Sequence, residues 1–189
     1  MELIDKALIK ARKLHKEQFR KGGKVPYFVH LIDVGKILMY EEDLNENVIC
    51  AGILHDTLED TKYTREDLKR DFGEEVYNIV DFCSEPGNTP TTTEEEGKKN
   101  WKNRKTHSIN SLKNATEEQL LVFIADKYSN LSSMKEDLIL IGDELWKKFN
   151  APYEEIKWYF VSIRDESRKK IPNKRTFILF DKLVKEVFK

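Results

Sequence analysis

Apolar residues recur at three- and four-residue steps along most of the chain, and that period predicts helices nearly end to end. Leu3, Ile4, Ala7, Leu8, Ala11, Leu14 and Gln18 form the first stripe, which predicts a helix ending near Phe19. The paired glycines of RKGGK break it, and Pro26 disfavours helical torsions at Val25, so a second helix starts just after Pro26 and runs through VHLIDVGKILMY. Asn45 is a candidate cap for a third, NENVICAGILHDTLE. Thr64 opens TREDLKRDFG with Glu66 and Asp67 in its first turn, Gly73 closes it, and EEVYNIVDFCS follows. Further on come WKNRKTHSINSLK, then TEEQLLVFIADKYSNLSSM with Thr116 as its cap, and three more helices. Short helices with short connections imply an all-α, compact single domain over residues 1–189, of about nine to eleven helices.

Two stretches depart from that pattern. SEPGNTPTTTEEEGKKN, residues 84–100, holds two prolines and two glycines around a Thr/Glu-rich centre. With no apolar period it predicts a long surface loop, mobile and near the opening of a site, since it lies between His55–Asp56 and Asp126, which are candidate site residues. Within the carboxy-terminal part, 135–189, Leu145, Trp146, Phe149, Tyr153, Ile156, Tyr159, Phe160 and Ile163 sit at helical spacing. A core-facing aromatic stripe accounts for them better than a cofactor box.

Composition narrows the partners. The chain has 189 residues, enough for one sizeable core, and its 33 basic and 34 acidic residues leave a net charge of -1. No global field draws it to nucleic acid or a membrane, and no basic stripe or binding motif suggests a nucleic-acid role, so any anion must be held locally. Cys50 and Cys83 lack C-x-x-C spacing and are too few for a disulfide framework, which points to a reducing cytoplasm. The amphipathic amino terminus lacks the apolar core of a signal peptide, and no run reaches membrane-spanning length.

The chemistry concentrates in AGILHDTLED, residues 51–60. An apolar run ends in His55 and Asp56, and Glu59 and Asp60 follow; on one helix, spacings of three and four bring all four to a broad common face. As a bare dipeptide, HD also fits an ordinary solvated helix end. Two other residues change the balance. His30 lies in the mostly apolar helix VPYFVHLIDVGKIL, where a lone histidine is usually a satisfied core residue, and Asp126 follows LLVFIA. A buried unpaired carboxylate costs on the order of several kcal/mol, so Asp126 needs a metal, an arginine or several donors. His30, His55, Asp56 and Asp126 could satisfy one another around one divalent ion with positions open for water and substrate. Lys16, Arg20, Lys21 and Lys24, with glycines between them, would suit a pyrophosphate, or form a solvated charged turn.

The combination of ARKLHKEQFRKGGKVPYFVH, HDxxED and ADxxxN resembles the HD-domain metal-dependent phosphohydrolases. Within them it is similar to the hydrolase domain of the RelA/SpoT homologues and to the stand-alone small alarmone hydrolases. The match runs from about Ala7 to Met134, and IGDELWKKFNAPYEEIKWYFVSI looks like the tails of single-domain bacterial relatives. The resemblance implies an HD-type helical fold, with His30, His55, Asp56 and Asp126 holding one ion, Mn²⁺ in most relatives. It implies that Glu59 and Asp60 position and activate the attacking water, that Arg20 and Lys21 contact the nucleotide and its phosphates, and that Asn130 and Ser133 face the guanine base. His15 matches a family position as a structural or supporting residue. The activity implied is hydrolysis of the 3′-pyrophosphate of guanosine tetra- or pentaphosphate, without alarmone synthesis, since no synthetase domain follows. Where relatives commonly have ADRLHN, this chain has ADKYSN, so Lys127, Tyr128 and Ser129 are expected beside the base pocket. That difference keeps another nucleotide or a phosphorylated dinucleotide cofactor open as substrate. A silent nucleotide sensor is the alternative of a different class, and the intact acidic pair argues against it.

Overall fold

A computed structural model describes residues 2–21, 23–84 and 94–188. Among them the elements are helical: α1 (Glu2–Leu14), α2 (Phe28–Met39), α3 (Glu46–Leu54), α4 (Thr57–Asp60), α5 (Arg65–Cys83), α6 (Glu94–Ser111), α7 (Glu117–Ile141), α8 (Tyr153–Arg168) and α9 (Arg175–Val187). Two 3-10 turns, Leu112–Asn114 and Gly142–Lys148, join the later helices. The all-α expectation holds.

The caps explain several boundaries. Asn45 accepts from the backbone of Asn47 and Val48, and Thr64 and Thr116 form capping boxes with Asp67 and Gln119. Each satisfies amide groups that the first helical turn leaves without partners. Gly73 interrupts α5 at φ +87, a torsion that glycine adopts without a Cβ penalty, so the expected break falls inside one helical run.

Four expectations need correction. The first helix stops at Leu14 rather than near Phe19, because residues 18–20 pair with residues 25–27: Tyr27 N–H donates to Gln18 O at 2.9 Å and Arg20 N–H to Val25 O at 2.8 Å. That pairing takes backbone groups which a longer helix would need. AGILHDTLED is likewise not one helix. α3 ends at Leu54, Asp56 has φ -95 and ψ 1, and α4 is a separate turn. The Thr57 hydroxyl donates to Leu54 O at 2.7 Å and the His55 ring to Gly52 O at 2.8 Å, so side chains take the carbonyls that helix continuation would use. α6 begins at Glu94, so the last part of the expected 84–100 loop is helical, and residues 85–93 lie outside the described residues. After α7 there are one 3-10 turn and two α-helices rather than three helices.

The long helix α7 packs against α2, α3, α5 and α9, and α3 packs against α1, α2 and α5. From Val48 to Leu54 every residue of α3 is buried. Each fully buried Val, Ile or Leu contributes about 1.5–3 kcal/mol relative to exposure, which helps offset the burial of the polar pair at the end of α3. α2 and α3 approach closely because both are glycine at the crossing. A Cβ on Gly52 would lie 2.2 Å from Leu38 Cδ1, and one on Gly35 would lie 2.7 Å from Ile53 Cγ1. Leu38 and Ile53 are themselves fully buried and have little room to yield.

This crossing carries both HD-segment and α2 side chains to the site, so Gly52→Ala should destabilise the fold by about 1–3 kcal/mol through overpacking. A thermal melt of the purified variant would show a midpoint lower by roughly 2–10 °C for a chain of this size. An unchanged midpoint would count against the close-packed crossing.

Candidate functional site

The site forms where the carboxy-terminal end of α3, the first turn of α2 and the middle of α7 meet in the core. His30 and His55 are both buried. The His30 Nε2 lies 3.1 Å from Asp126 Oδ1 and 4.0 Å from Asp56 Oδ2. His55 Nε2 lies 2.9 Å from Asp56 Oδ2 and 3.5 Å from Asp126 Oδ1. Four residues from three helical segments thus converge on one small volume. Ligand atoms of His30, His55 and Asp56 all fall within 4.8 Å of one another, and Asp126 faces both imidazoles.

Hydrogen bonding determines how these rings present themselves. A carbonyl only accepts, so the 2.8 Å contact of His55 Nδ1 with Gly52 O puts a hydrogen on Nδ1. The Nε2 then directs its lone pair at carboxylate oxygens. Both Nε2 atoms are buried without a hydrogen-bond partner. A lone pair against carboxylates becomes favourable only with a cation between them, either a proton or a metal ion. Imidazole and carboxylate donors of this kind suit a divalent ion, so the residues present fit such a site.

The charge balance follows the same geometry. Burial pulls the His55 imidazole down, but Asp56 and Asp126 together override it and leave it well above its ordinary pKa. At His30 burial wins over Asp126, and the imidazole is lowered. Burial raises Asp56, yet the charge on His55 beside it brings it down to about 2. Burial also opposes ionisation of Asp126, while Lys127 and the two histidines hold it well below the usual carboxylate range.

Neighbouring side chains orient the cluster. The Tyr27 hydroxyl donates to Asp56 Oδ2 at 2.5 Å, and the Ser129 hydroxyl lies 3.0 Å from His30 Nδ1. Lys127 Nζ donates to Asp126 Oδ2 at 2.6 Å, and Asn130 Nδ2 donates to Asp126 Oδ1 at 2.6 Å. The other end of the Asn130 amide accepts from Arg20 Nη2 at 2.8 Å. This network links the loop between α1 and α2 to α7.

Glu59 and Asp60 line a cavity of about 210 Å³ together with Tyr27, His55, Asp56 and Asp126. Asp60 is exposed overall, but partial desolvation of its carboxyl within the cavity raises its pKa, and the Asp56 charge raises it further. Beside this cavity is a groove of about 700 Å³. Tyr27, Lys105, Lys127 and Asn130 line both. Arg20, Lys21 and Ser133 line the groove, with the Lys21 ammonium 5.7 Å from the Phe149 ring centroid. Through Asn130, Arg20 therefore stands nearer to the acidic cluster than Lys21 does. All the site residues expected from the sequence border the cluster, the cavity or the groove.

Several positions were not legible in advance. Lys105 and Arg104 reach the cavity from α6, a helix with no clear apolar face to show which side turns inward. Tyr27 stands three residues before His30 in PYFVH, a spacing that could have suggested a shared face. Of Lys127, Tyr128 and Ser129, Lys127 borders the cavity and pairs with Asp126, and Ser129 touches His30. Tyr128 packs against the core instead. Lys127 also lines the groove beside Asn130, so it borders both the acidic cluster and the groove. The aromatic stripe does face the core, as expected, and Phe149, Tyr159 and Phe160 also wall the groove.

Comparison with known proteins gives a consistent set of relatives. The HD domain family model matches residues 7–143. A probable guanosine-3′,5′-bis(diphosphate) 3′-pyrophosphohydrolase from Mycoplasma pneumoniae is 33% identical over 141 residues, covering 70% of this chain and 18% of that protein. The chain therefore spans under a fifth of that relative's length. The guanosine-3′,5′-bis(diphosphate) 3′-pyrophosphohydrolase MESH1 of Xenopus tropicalis is 33% identical over 135 residues, 70% of each chain. A solved structure of a metazoan SpoT ortholog, described as hydrolysing ppGpp, superposes with a TM-score of 0.75 at 23% identity. It covers 98% of this chain and 96% of its own, a likeness of fold.

The raised Asp60 carboxyl has a consequence for stability. Between the ordinary aspartate pKa and its higher folded value, the unfolded chain has already released this proton, so stability falls as pH rises through that window. Asp60→Asn should therefore make the metal-free protein more stable at neutral pH, with the gain vanishing below about pH 4. Denaturant titrations of both proteins across this range would test it, and equal or lower stability of the variant at neutral pH would refute it.

Proposed function

The chain belongs to the HD-domain family, and from that premise we propose that it hydrolyses the 3′-pyrophosphate of guanosine tetra- or pentaphosphate, releasing GDP or GTP and pyrophosphate. The observation that carries this reading is the arrangement of Glu59 and Asp60 in a cavity that holds the imidazole and carboxylate cluster and adjoins a cationic groove. Relatives named for this activity support the substrate. In this reading residues 1–189 form one HD domain that works in the cytoplasm on a free nucleotide.

The roles follow from position and charge. His30, His55, Asp56 and Asp126 would hold a divalent ion, Mn²⁺ in this reading, which would lower the pKa of a water and offset charge on a phosphoryl oxygen. Glu59 and Asp60 accept the water's proton as its oxygen attacks the phosphorus attached to the ribose 3′-oxygen. The bond from that phosphorus to the 3′-oxygen breaks, pyrophosphate leaves, and the 3′-oxygen takes up a proton. An Asp60 carboxyl of raised pKa is suited to carry a proton between these two oxygens. Arg20, Lys21, Lys105 and Lys127 set positive charge along the path for the phosphates. Asn130, at the junction of cavity and groove, and Ser133, further along the groove, contact the base.

Protein loaded with Mn²⁺ should release pyrophosphate from guanosine tetraphosphate. Glu59→Gln or Asp60→Asn should slow that release by roughly 10²–10⁴-fold, the usual worth of a positioned acid or base, with an unchanged circular dichroism spectrum. Metal analysis should find one ion per chain and its loss in Asp126→Asn. Substrate left intact by metal-loaded protein across neutral pH would rule the activity out.

A further inference from the structure

The turn that bears the acidic pair is short. α4 has four residues, and Thr61 leaves it in extended conformation with φ -135 and ψ 177. Within the segment, Asp60 N–H donates to Asp56 O at 2.9 Å, and the Thr61 hydroxyl donates to Thr57 O at 2.6 Å. The carbonyls at the end of such a turn lack the donors that a longer helix would supply. One of them, Asp60 O, receives Gln18 Nε2 at 2.7 Å, across 42 positions of sequence.

Gln18 is held on every side. Its backbone N–H donates to His15 O at 3.0 Å, and its carbonyl accepts from Tyr27 N–H at 2.9 Å. Its side-chain oxygen lies 2.6 Å from His15 Nδ1. Because the amide nitrogen must face the Asp60 carbonyl, the oxygen faces His15, and the hydrogen between them belongs to Nδ1. His15 is 1% exposed and stacks on Tyr27, with centroids 5.4 Å apart and planes at 25°. Tyr27 in turn donates to Asp56. The segment after α1 thus reaches the backbone of one acidic residue through Gln18 and, by way of His15 stacked on Tyr27, the carboxylate of another.

We propose that Gln18, oriented by His15, is a positioning residue that holds the Glu59–Asp60 turn in its working place by capping Asp60 O. The proposal rests on the catalytic reading of Asp60 given above. Neither Gln18 nor His15 borders the cavity or the groove, so their effect is transmitted through the turn. A displacement near 1 Å of a reacting group costs up to about 10²-fold in rate.

Gln18→Met keeps the length of the side chain and removes the donor. It should lower kcat for pyrophosphate release by roughly 10- to 100-fold while leaving KM and the metal content unchanged. Hydrogen exchange of the metal-loaded protein should rise in peptides spanning 56–63 and stay constant elsewhere. Glu17→Gln, at an exposed neighbouring position, should behave as the unaltered protein in both measurements. His15→Leu should lower kcat in the same direction, since it frees the Gln18 amide. Unchanged exchange over 56–63 in Gln18→Met overturns the brace, and raised exchange with an unchanged kcat overturns its positioning role. If the unaltered protein releases no pyrophosphate, the functional reading fails, and the exchange measurement decides on the brace by itself.

Discussion

Asp56 and Asp126 face the same two imidazoles across 2.9–4.0 Å inside the protein, and much of the architecture serves that convergence. Carboxylates out of water are tolerated only when cations or donors replace the lost solvation. Here the replacements come from separate segments: His30 from α2, His55 from the end of α3, and Lys127 and Asn130 from α7. Each segment supplies a share of what compensates the two carboxylates. The close α2–α3 crossing at Gly35 and Gly52 is the packing counterpart of this requirement.

Around the cluster, one carboxylate does several jobs. Asp126 offers Oδ1 to both imidazoles and to Asn130, and Oδ2 to Lys127. Asn130 passes the connection on to Arg20, so the acidic core and the basic groove share a hydrogen-bonded chain. The local substitution ADKYSN therefore bears on the cluster itself. Lys127 holds a carboxylate, and Ser129 supports an imidazole from behind. Such supporting contacts set ring orientation and ligand basicity as much as the ligating groups do.

Periodicity made the helical class legible because three- and four-residue spacing reports a buried face directly. Asn45, Thr64 and Thr116 were readable as caps for a similar reason, since capping depends on a side chain and the next few amides. The HD segment misled the same logic. Its spacing suits one helix, but Thr57 and His55 bond back to Leu54 and Gly52 and divide it. The apolar period runs past Leu14, but residues 18–20 pair with a strand-like return at 25–27, a partner that local pattern does not reveal.

The sequence by itself determined the helical class, the caps and the kinds of donor available, since these depend on residue type and short-range spacing. It also marked Asp126 as a residue in need of partners, because a carboxylate ending an apolar run has a cost wherever the chain folds, and offered His30, His55 and Asp56 as candidates. The tertiary structure decided which partners they meet. Tyr27 on Asp56, Ser129 behind His30 and Gln18 on the Asp60 carbonyl join positions 29, 99 and 42 residues apart. Hydrogen bonds of about 3 Å between such distant positions follow from how helices cross, and no local period encodes that crossing.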